Sequence, residues 1–290
     1  MFTGSIVAIV TPFRKGRVDE RALGDLIEWQ IANGTHGIVP CGTTGESATL
    51  SHAEHQRVVA CTVEVTKRRV PVIAGAGSNS TEEAVALTRH AKAAGADGAL
   101  LITPYYNKPT QEGLFRHYKA IAEEVDIPLV LYNIPGRTGV NLAASTVARL
   151  VNYRTIVAIK EGSGSVQQAS EIVHACGERF TVLAGDDALT LPMMAVGAKG
   201  VITVTANIMP SEMSRMVTAF LAGHLEDARR FHYMLYPVFT ALFYETNPIP
   251  VKEALSMMGK IDGELRLPLC GMGLENKEKL AAVMKDCGLI

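Results

Sequence analysis

Eight short apolar runs, spaced fairly evenly between residues 6 and 205, constrain this chain more than any other feature. They occupy residues 6–10, 37–40, 70–74, 99–103, 129–133, 156–160, 181–184 and 201–205. All but the last are plainly followed by a segment of helical period, such as 23–33, 52–67 or 82–94. Short runs rich in Val and Ile read as buried strands, and their alternation with helices predicts repeated βα units. Eight parallel strands with intervening helices close into a (β/α)8 TIM barrel. An open doubly wound sheet is the competing architecture, but it normally carries fewer strands and a glycine fingerprint in its first turn. The first turn here is Thr11-Pro12-Phe13-Arg14, which lacks that fingerprint.

Local signals fit the same spacing. Ser80-Thr81-Glu82-Glu83 places a capping hydroxyl before two acids, and Gly95 follows the last periodic residue of the same helix. After about residue 211 the strand-type runs stop, and a helical pattern broken by Pro248, Pro250 and Pro268 takes over. This predicts a barrel over residues 1–223 and a small C-terminal helical extension over 224–290.

Composition excludes several classes of function. With 48% hydrophobic and 20% charged residues the chain has the profile of an ordinary globular protein, and its net charge of −1 comes without any basic patch or charge block. Neither nucleic acid nor an anionic membrane surface is therefore an expected partner. The five cysteines are scattered and form no C-x-x-C pair, which argues against a disulfide framework or a zinc site. Met1 to Ser5 enter an apolar run with no basic residue before it, and no stretch is long enough to span a bilayer. A cytoplasmic location is expected.

In a closed barrel the chemistry gathers at the C-terminal ends of the strands, and here those ends are polar. The sixth run, Ile156-Val157-Ala158-Ile159, leads straight into Lys160. That lysine either snorkels to water or is held desolvated. In the second case burial disfavours the ammonium form and leaves an amine able to attack a carbonyl and form a Schiff base. Gly42-Thr43-Thr44-Gly45 offers hydroxyls and backbone N–H groups to an anion such as a carboxylate, or simply caps the next helix. Tyr132 ends the fifth run, where it packs or shuttles protons beside the amine. Arg137, on a Pro-Gly turn, is either solvated or grips a substrate carboxylate. Asp186-Asp187 reads as a helix N-cap rather than a metal pair. His52 and His55 share a helix face but lack the H-E-x-x-H pattern, so metal binding there is not expected. Gly75-Ala76-Gly77 lacks the third glycine of a dinucleotide loop, since position 80 is Ser.

Five segments in order carry a resemblance that covers essentially the whole chain. They are Gly42-Thr43-Thr44-Gly45-Glu46-Ser47, Tyr105-Tyr106-Asn107, residues 132–139 with the sequence YNIPGRTG, Ile159-Lys160-Glu161, and residues 247–252 with the sequence NPIPVK. The chain resembles the dihydrodipicolinate synthase family, within the pyruvate-dependent class I aldolases that include N-acetylneuraminate lyase. The second threonine of the first motif and Arg137 set the resemblance apart from the sialic acid lyases. It implies condensation of pyruvate with L-aspartate-4-semialdehyde through an imine on Lys160, in lysine and diaminopimelate biosynthesis, with no metal or other cofactor.

The same resemblance implies roles for single residues. Tyr132 is the expected proton donor and acceptor, in a hydroxyl relay with Thr43 and with Tyr106 of a neighbouring subunit. Thr44 is expected on the pyruvate carboxylate, Arg137 on the aldehyde's carboxylate, and Gly185 and Ile202 along the pocket. A homotetramer of two tight dimers is implied. So is feedback inhibition by L-lysine, at a site made by Ser47, Ala48, His52, His55, Asn79, Glu83 and Tyr105. Another pyruvate aldolase, such as a sialic acid or sugar-acid lyase, is the alternative activity. An inactive barrel serving as a binding protein would be expected to lose the lysine, the tyrosine or the hydroxyl turn, and this sequence retains all three.

Overall fold

The computed structural model describes residues 2–290. Eight parallel strands form one sheet: β1 (Gly4–Ala8), β2 (Gly37–Val39), β3 (Ile73–Gly75), β4 (Gly98–Ile102), β5 (Leu129–Asn133), β6 (Ile156–Glu161), β7 (Thr181–Ala184) and β8 (Gly200–Thr203). Their spatial order is β2-β1-β8-β7-β6-β5-β4-β3. A parallel bridge between Ile38 and Val72 joins the two ends, so the sheet closes into a barrel.

Alternation along each strand separates two cores. Ile6, Ala8, Val39, Ile73, Leu100, Val130, Ala158, Leu183 and Ile202 fill the interior of the barrel. Their neighbours Val7, Ile38, Ala74, Leu101, Leu131, Ile159, Val182 and Val201 face the helices instead. Burial on both faces is why the runs read as continuously apolar rather than alternating. Each strand is short, and the observed β1 and β8 begin and end one or two residues before the apolar runs do. Ile9 and Val10 are buried beyond the end of β1, and the Val10 N–H donates to Asn207 Oδ1 instead of to a strand (3.1 Å).

The helices between strands are α1 (Glu20–Ala32), α2 (His52–Thr66), α3 (Thr81–Ala93), α4 (Gln111–Glu124), α5 (Pro135–Thr138), α6 (Ala144–Leu150), α7 (Val166–Cys176), α8 (Thr190–Ala195) and α9 (Pro210–Leu221). α4 shows how they form: Thr110 caps it by accepting the Gly113 N–H, and Leu114, His117, Tyr118 and Ile121 bury one face at helical spacing. Full burial of one such apolar side chain stabilises by roughly 1.5–3 kcal/mol. Ser80 caps α3 by accepting the Glu83 N–H, as its position before the acids predicts.

Two features depart from the sequence reading. The first turn carries a small antiparallel hairpin, Phe13–Arg14 with Arg17–Val18, whose tip residues Lys15 and Gly16 both have positive φ. That is the backbone of a tight two-residue hairpin turn. Second, the helices after the barrel, α10 (Leu225–Ala241), α11 (Ile249–Met257) and α12 (Leu274–Asp286), send side chains into the barrel rim. Arg266, in the segment between α11 and α12, does the same, pairing with both carboxylate oxygens of Glu54 (2.8 and 2.6 Å) and donating to the carbonyls of Thr49 and Gly16.

The Arg266 guanidinium holds Glu54 at about 2, against an ordinary value of 4.5. A lowered carboxyl contributes stability that is fully present above its unfolded value and is lost as pH falls from there through the folded value. Thermal midpoints of the wild type and Glu54→Gln are therefore expected to differ at pH 7, to draw together below about pH 4.5 and to converge only below about pH 2. An undiminished gap at pH 3 would show that the pair does not act through its charge.

Candidate active site

At the C-terminal end of the barrel, Tyr132 on β5 and Lys160 on β6 are register partners. Alternation turns both inward, above Val130 and Ala158 of the inner core. Lys160 is only 6% exposed, and its Nζ lies 4.3 Å from the centre of the Tyr132 ring. The amine is thus buried against a π face at the mouth of an apolar tube.

Above this pair lies a cavity of about 480 Å³. Thr43, Tyr132 and Arg137 line it together with Ser47, Ala48, His52, His55, Glu83 and Tyr105, so two groups of expected site residues share one continuous space. Lys160, Thr44, Gly185, Ile202, Asn79 and Tyr106 are not in its wall. Ile202 belongs to the barrel interior, and Gly185 donates its N–H to the Glu161 carbonyl (2.7 Å) where a Cβ would stand 2.9 Å from Gly162 Cα. Tyr106 is 90% exposed at a φ of +70°, so its own chain does not bring it to the cavity.

On the far side of the cavity, His55 is buried with Nε2 2.9 Å from the Gly75 carbonyl, which makes that nitrogen the protonated one. Burial also lowers its basicity. His52, on the exposed side, pairs with Glu83 (3.1 Å), which also accepts from the Ser78 hydroxyl. The Asn79 side chain donates to the Tyr105 carbonyl, and Asn107 donates back to the Asn79 carbonyl, tying the loop after β3 to the loop after β4. Among the described residues no group of three or more His, Cys, Asp and Glu side chains is gathered as metal ligands would be.

A model of the dihydrodipicolinate synthetase family matches residues 1–287. The chain belongs to the dihydrodipicolinate synthetase family. It is 62% identical over 290 residues, covering all of both chains, to the 4-hydroxy-tetrahydrodipicolinate synthase of Geotalea uraniireducens. Among solved structures, the chloride-inhibited dihydrodipicolinate synthase of Acinetobacter baumannii complexed with pyruvate is 48% identical with a TM-score of 0.98, each chain covered in full. The enzyme from Cyanidioschyzon merolae with lysine bound is 41% identical, with a TM-score of 0.97 over 100% of this chain and 99% of the other. Family membership makes this chain an enzyme, a lyase of the class I aldolase type.

Asn247 and Lys252 begin and end the 247–252 motif, but the sequence carries no local signal of which residues they hold. Asn247, after α10, donates from Nδ2 to Thr44 Oγ1 (3.0 Å), and its carbonyl accepts from Arg137 Nη2 (3.1 Å). It thereby links the hydroxyl turn to the arginine across more than a hundred residues of chain. Lys252 on α11 reaches Glu46, the fifth residue of the first motif, at 2.6 Å, with both side chains fully buried. Its Nζ also donates to the Thr11 carbonyl (3.0 Å) and stands 4.2 Å from the centre of the Phe13 ring. Burial pushes Lys252 below the ordinary lysine range, and Glu46 opposes that shift. Glu46 itself sits in the left-handed region at a φ of +52°.

One sequence reading is corrected, and two further features gain a structural reason. Asp187 is not a helix cap: its buried carboxylate accepts the N–H groups of Val204 (3.2 Å) and Thr205 (2.7 Å), bracing the exit of β7 to that of β8. Asp186 accepts only the nearby Ala188 N–H (3.0 Å), and α8 starts later, with no side-chain cap. Glu161, which ends β6, is fully buried on the outward face of the strand. Gly75 and Gly77 answer to packing, since a Cβ at Gly75 would overlap the Cys41 carbonyl oxygen and one at Gly77 the Ile102 backbone nitrogen.

Proposed function

We infer that the chain condenses pyruvate with L-aspartate-4-semialdehyde to 4-hydroxy-tetrahydrodipicolinate, in lysine and diaminopimelate biosynthesis, by way of an imine on Lys160. The carrying observation is the inward-facing pair of Lys160 and Tyr132, 4.3 Å from amine to ring, at the catalytic end of a family barrel. The Lys160 amine attacks the ketone of pyruvate, and loss of water leaves the imine. Removal of a methyl proton gives an enamine whose terminal carbon adds to the aldehyde. The amino group of the second substrate then attacks the imine carbon, closing the ring and releasing Lys160. No metal or organic cofactor enters these steps.

Tyr132 supplies and accepts the protons of imine formation, with Thr43 and with Tyr106 of a partner subunit completing the relay. The exposure of Tyr106 supports that role and the homotetramer of two tight dimers it belongs to. Thr44, its hydroxyl fixed by Asn247, receives the pyruvate carboxylate between Gly185 and Ile202. Arg137 takes the carboxylate of the aldehyde, because a guanidinium matches a carboxylate with two parallel hydrogen bonds. Residues 1–223 form the catalytic barrel, and 224–290 are an extension that braces its rim. Among the described residues no helix is long and apolar enough to cross a membrane, and the biosynthetic character of the family supports a cytoplasmic location.

A coupled assay with both substrates tests the reading, and consumption of a sugar acid in place of the semialdehyde would overturn it. Arg137→Ala is expected to raise KM for the semialdehyde roughly 10- to 100-fold, the loss of a charge-assisted hydrogen-bond pair, while KM for pyruvate changes little. L-lysine is expected to inhibit by binding among Ser47, Ala48, His52, His55, Asn79, Glu83 and Tyr105. Glu83 offers its ammonium a carboxylate, and the Cyanidioschyzon merolae relative was solved with lysine bound. Full activity at saturating lysine would remove this part of the proposal.

A further inference from the structure

We propose that Asn133 and Glu161 are positioning residues that clamp the ends of β5 and β6 and so aim Tyr132 and Lys160. This rests on the reading of Lys160 as the imine-forming residue. Each follows its functional neighbour by one position, and the two are themselves register partners, Asn133 opposite Glu161 as Tyr132 is opposite Lys160. Alternation turns the first pair inward and the second outward. Elsewhere the outward face of these strands is apolar, with Leu129, Leu131 and Ile159 packed against helices. Only the last residue of each strand breaks the pattern, and both are fully buried.

Every polar atom in this cluster is assigned. Glu161 Oε1 accepts the Ser163 N–H at 2.7 Å, and Oε2 accepts from Gln168 Nε2 on α7 at 3.0 Å. Asn133 Nδ2 donates to Glu161 Oε2 at 3.1 Å and to Asn141 Oδ1 at 2.8 Å, while its Oδ1 accepts the Leu142 N–H at 2.9 Å. Asn141 in turn donates to Gln168 Oε1 at 2.7 Å. The carboxylate thus faces donors only, and among the described residues no cation lies within ion-pair distance of it. Burying a carboxylate in this way is unfavourable compared with an apolar side chain, so stability alone does not account for it. What the network does achieve is to fix both strand ends, the loop after β6 and the α5–α6 connection in one register. The Cα–Cβ directions of Tyr132 and Lys160 follow from that register.

Glu161→Gln places a donor among donors, and the exchange Glu161→Gln with Gln168→Glu restores donor to acceptor at the contact between positions 161 and 168. The rate of borohydride trapping of pyruvate on Lys160, kcat, KM for pyruvate and the thermal midpoint are measured on the purified full chain. Glu161→Gln is expected to slow trapping and lower kcat by roughly 10- to 100-fold with KM for pyruvate within about threefold, and the exchange to recover kcat to within about threefold. Wild-type trapping and kcat in Glu161→Gln would overturn the proposal. So would an exchange variant that regains the thermal midpoint but not the rates. Should Glu161→Gln fail to fold, Gln168→Leu removes the donor to Glu161 and the acceptor of Asn141 from a half-buried helix position, and an unchanged trapping rate in that variant is likewise fatal. A wild-type protein that gives no adduct on Lys160 would instead bring down the assignment of the imine, a result distinct from any of these.

Discussion

Lys160→Ala is expected to yield no borohydride-trapped pyruvate adduct and to lose at least about 10³-fold in kcat, since removing a covalent nucleophile removes the pathway itself. Mass spectrometry of the intact protein after borohydride treatment, with peptide mapping, reads the first; the coupled assay reads the second. The effect is large because the barrel interior offers no substitute. Lys160 stands at the end of an inner core that holds Ala158, Val130, Leu183 and Ile202, and among the described residues it is the one amine packed against the Tyr132 ring. An adduct that persists on Lys160→Ala, or activity within tenfold of wild type, would place the chemistry at another residue.

The second large effect is on stability. Lys252→Met leaves the Glu46 carboxylate fully buried without its partner, which is expected to destabilise the fold by about 3–5 kcal/mol in urea denaturation. Combining it with Glu46→Leu removes both charges and is expected to return most of that loss, because a buried ion pair and a well-packed apolar pair differ little in net free energy. The single variant should also raise KM for pyruvate. Glu46 closes the turn that carries Thr43 and Thr44, and without Lys252 its left-handed backbone loses the contact that opposes its strain. A single variant as stable as the wild type would show that the pair contributes nothing to holding the turn.

The sequence exposes most of the barrel because each strand is buried on two faces, and an apolar run of four or five residues between helical segments is hard to mistake. Leu129–Asn133 and Thr181–Ala184 agree to the residue with their runs, whereas β1 and β8 are displaced because Val10 and Val204, past their ends, are buried while their N–H groups bond to the side chains of Asn207 and Asp187 rather than to a strand. Hydrophobicity reports burial and does not distinguish between the two. The hairpin at residues 13–18 is hidden for the opposite reason: with two residues per strand it has too little pattern to register.

Lys160, Tyr132, Thr43 and Arg137 are legible one by one, as polar residues terminating apolar runs. Their chemical type and their place on the catalytic rim follow from the chain alone, because strand alternation and barrel closure are local rules applied eight times. What the tertiary structure decides is which distant residues hold them. Asn247 touches both Thr44 and Arg137, Lys252 meets Glu46 over 206 positions of sequence, and Asp187 ties the exit of β7 to that of β8. These contacts are made by side chains whose neighbours in sequence are helices or loops, so no period marks them, and the 247–252 motif singles out Asn247 and Lys252 without naming the residues they touch. They exist only once the extension folds back over the rim and removes their polar atoms from water, where each must find a partner.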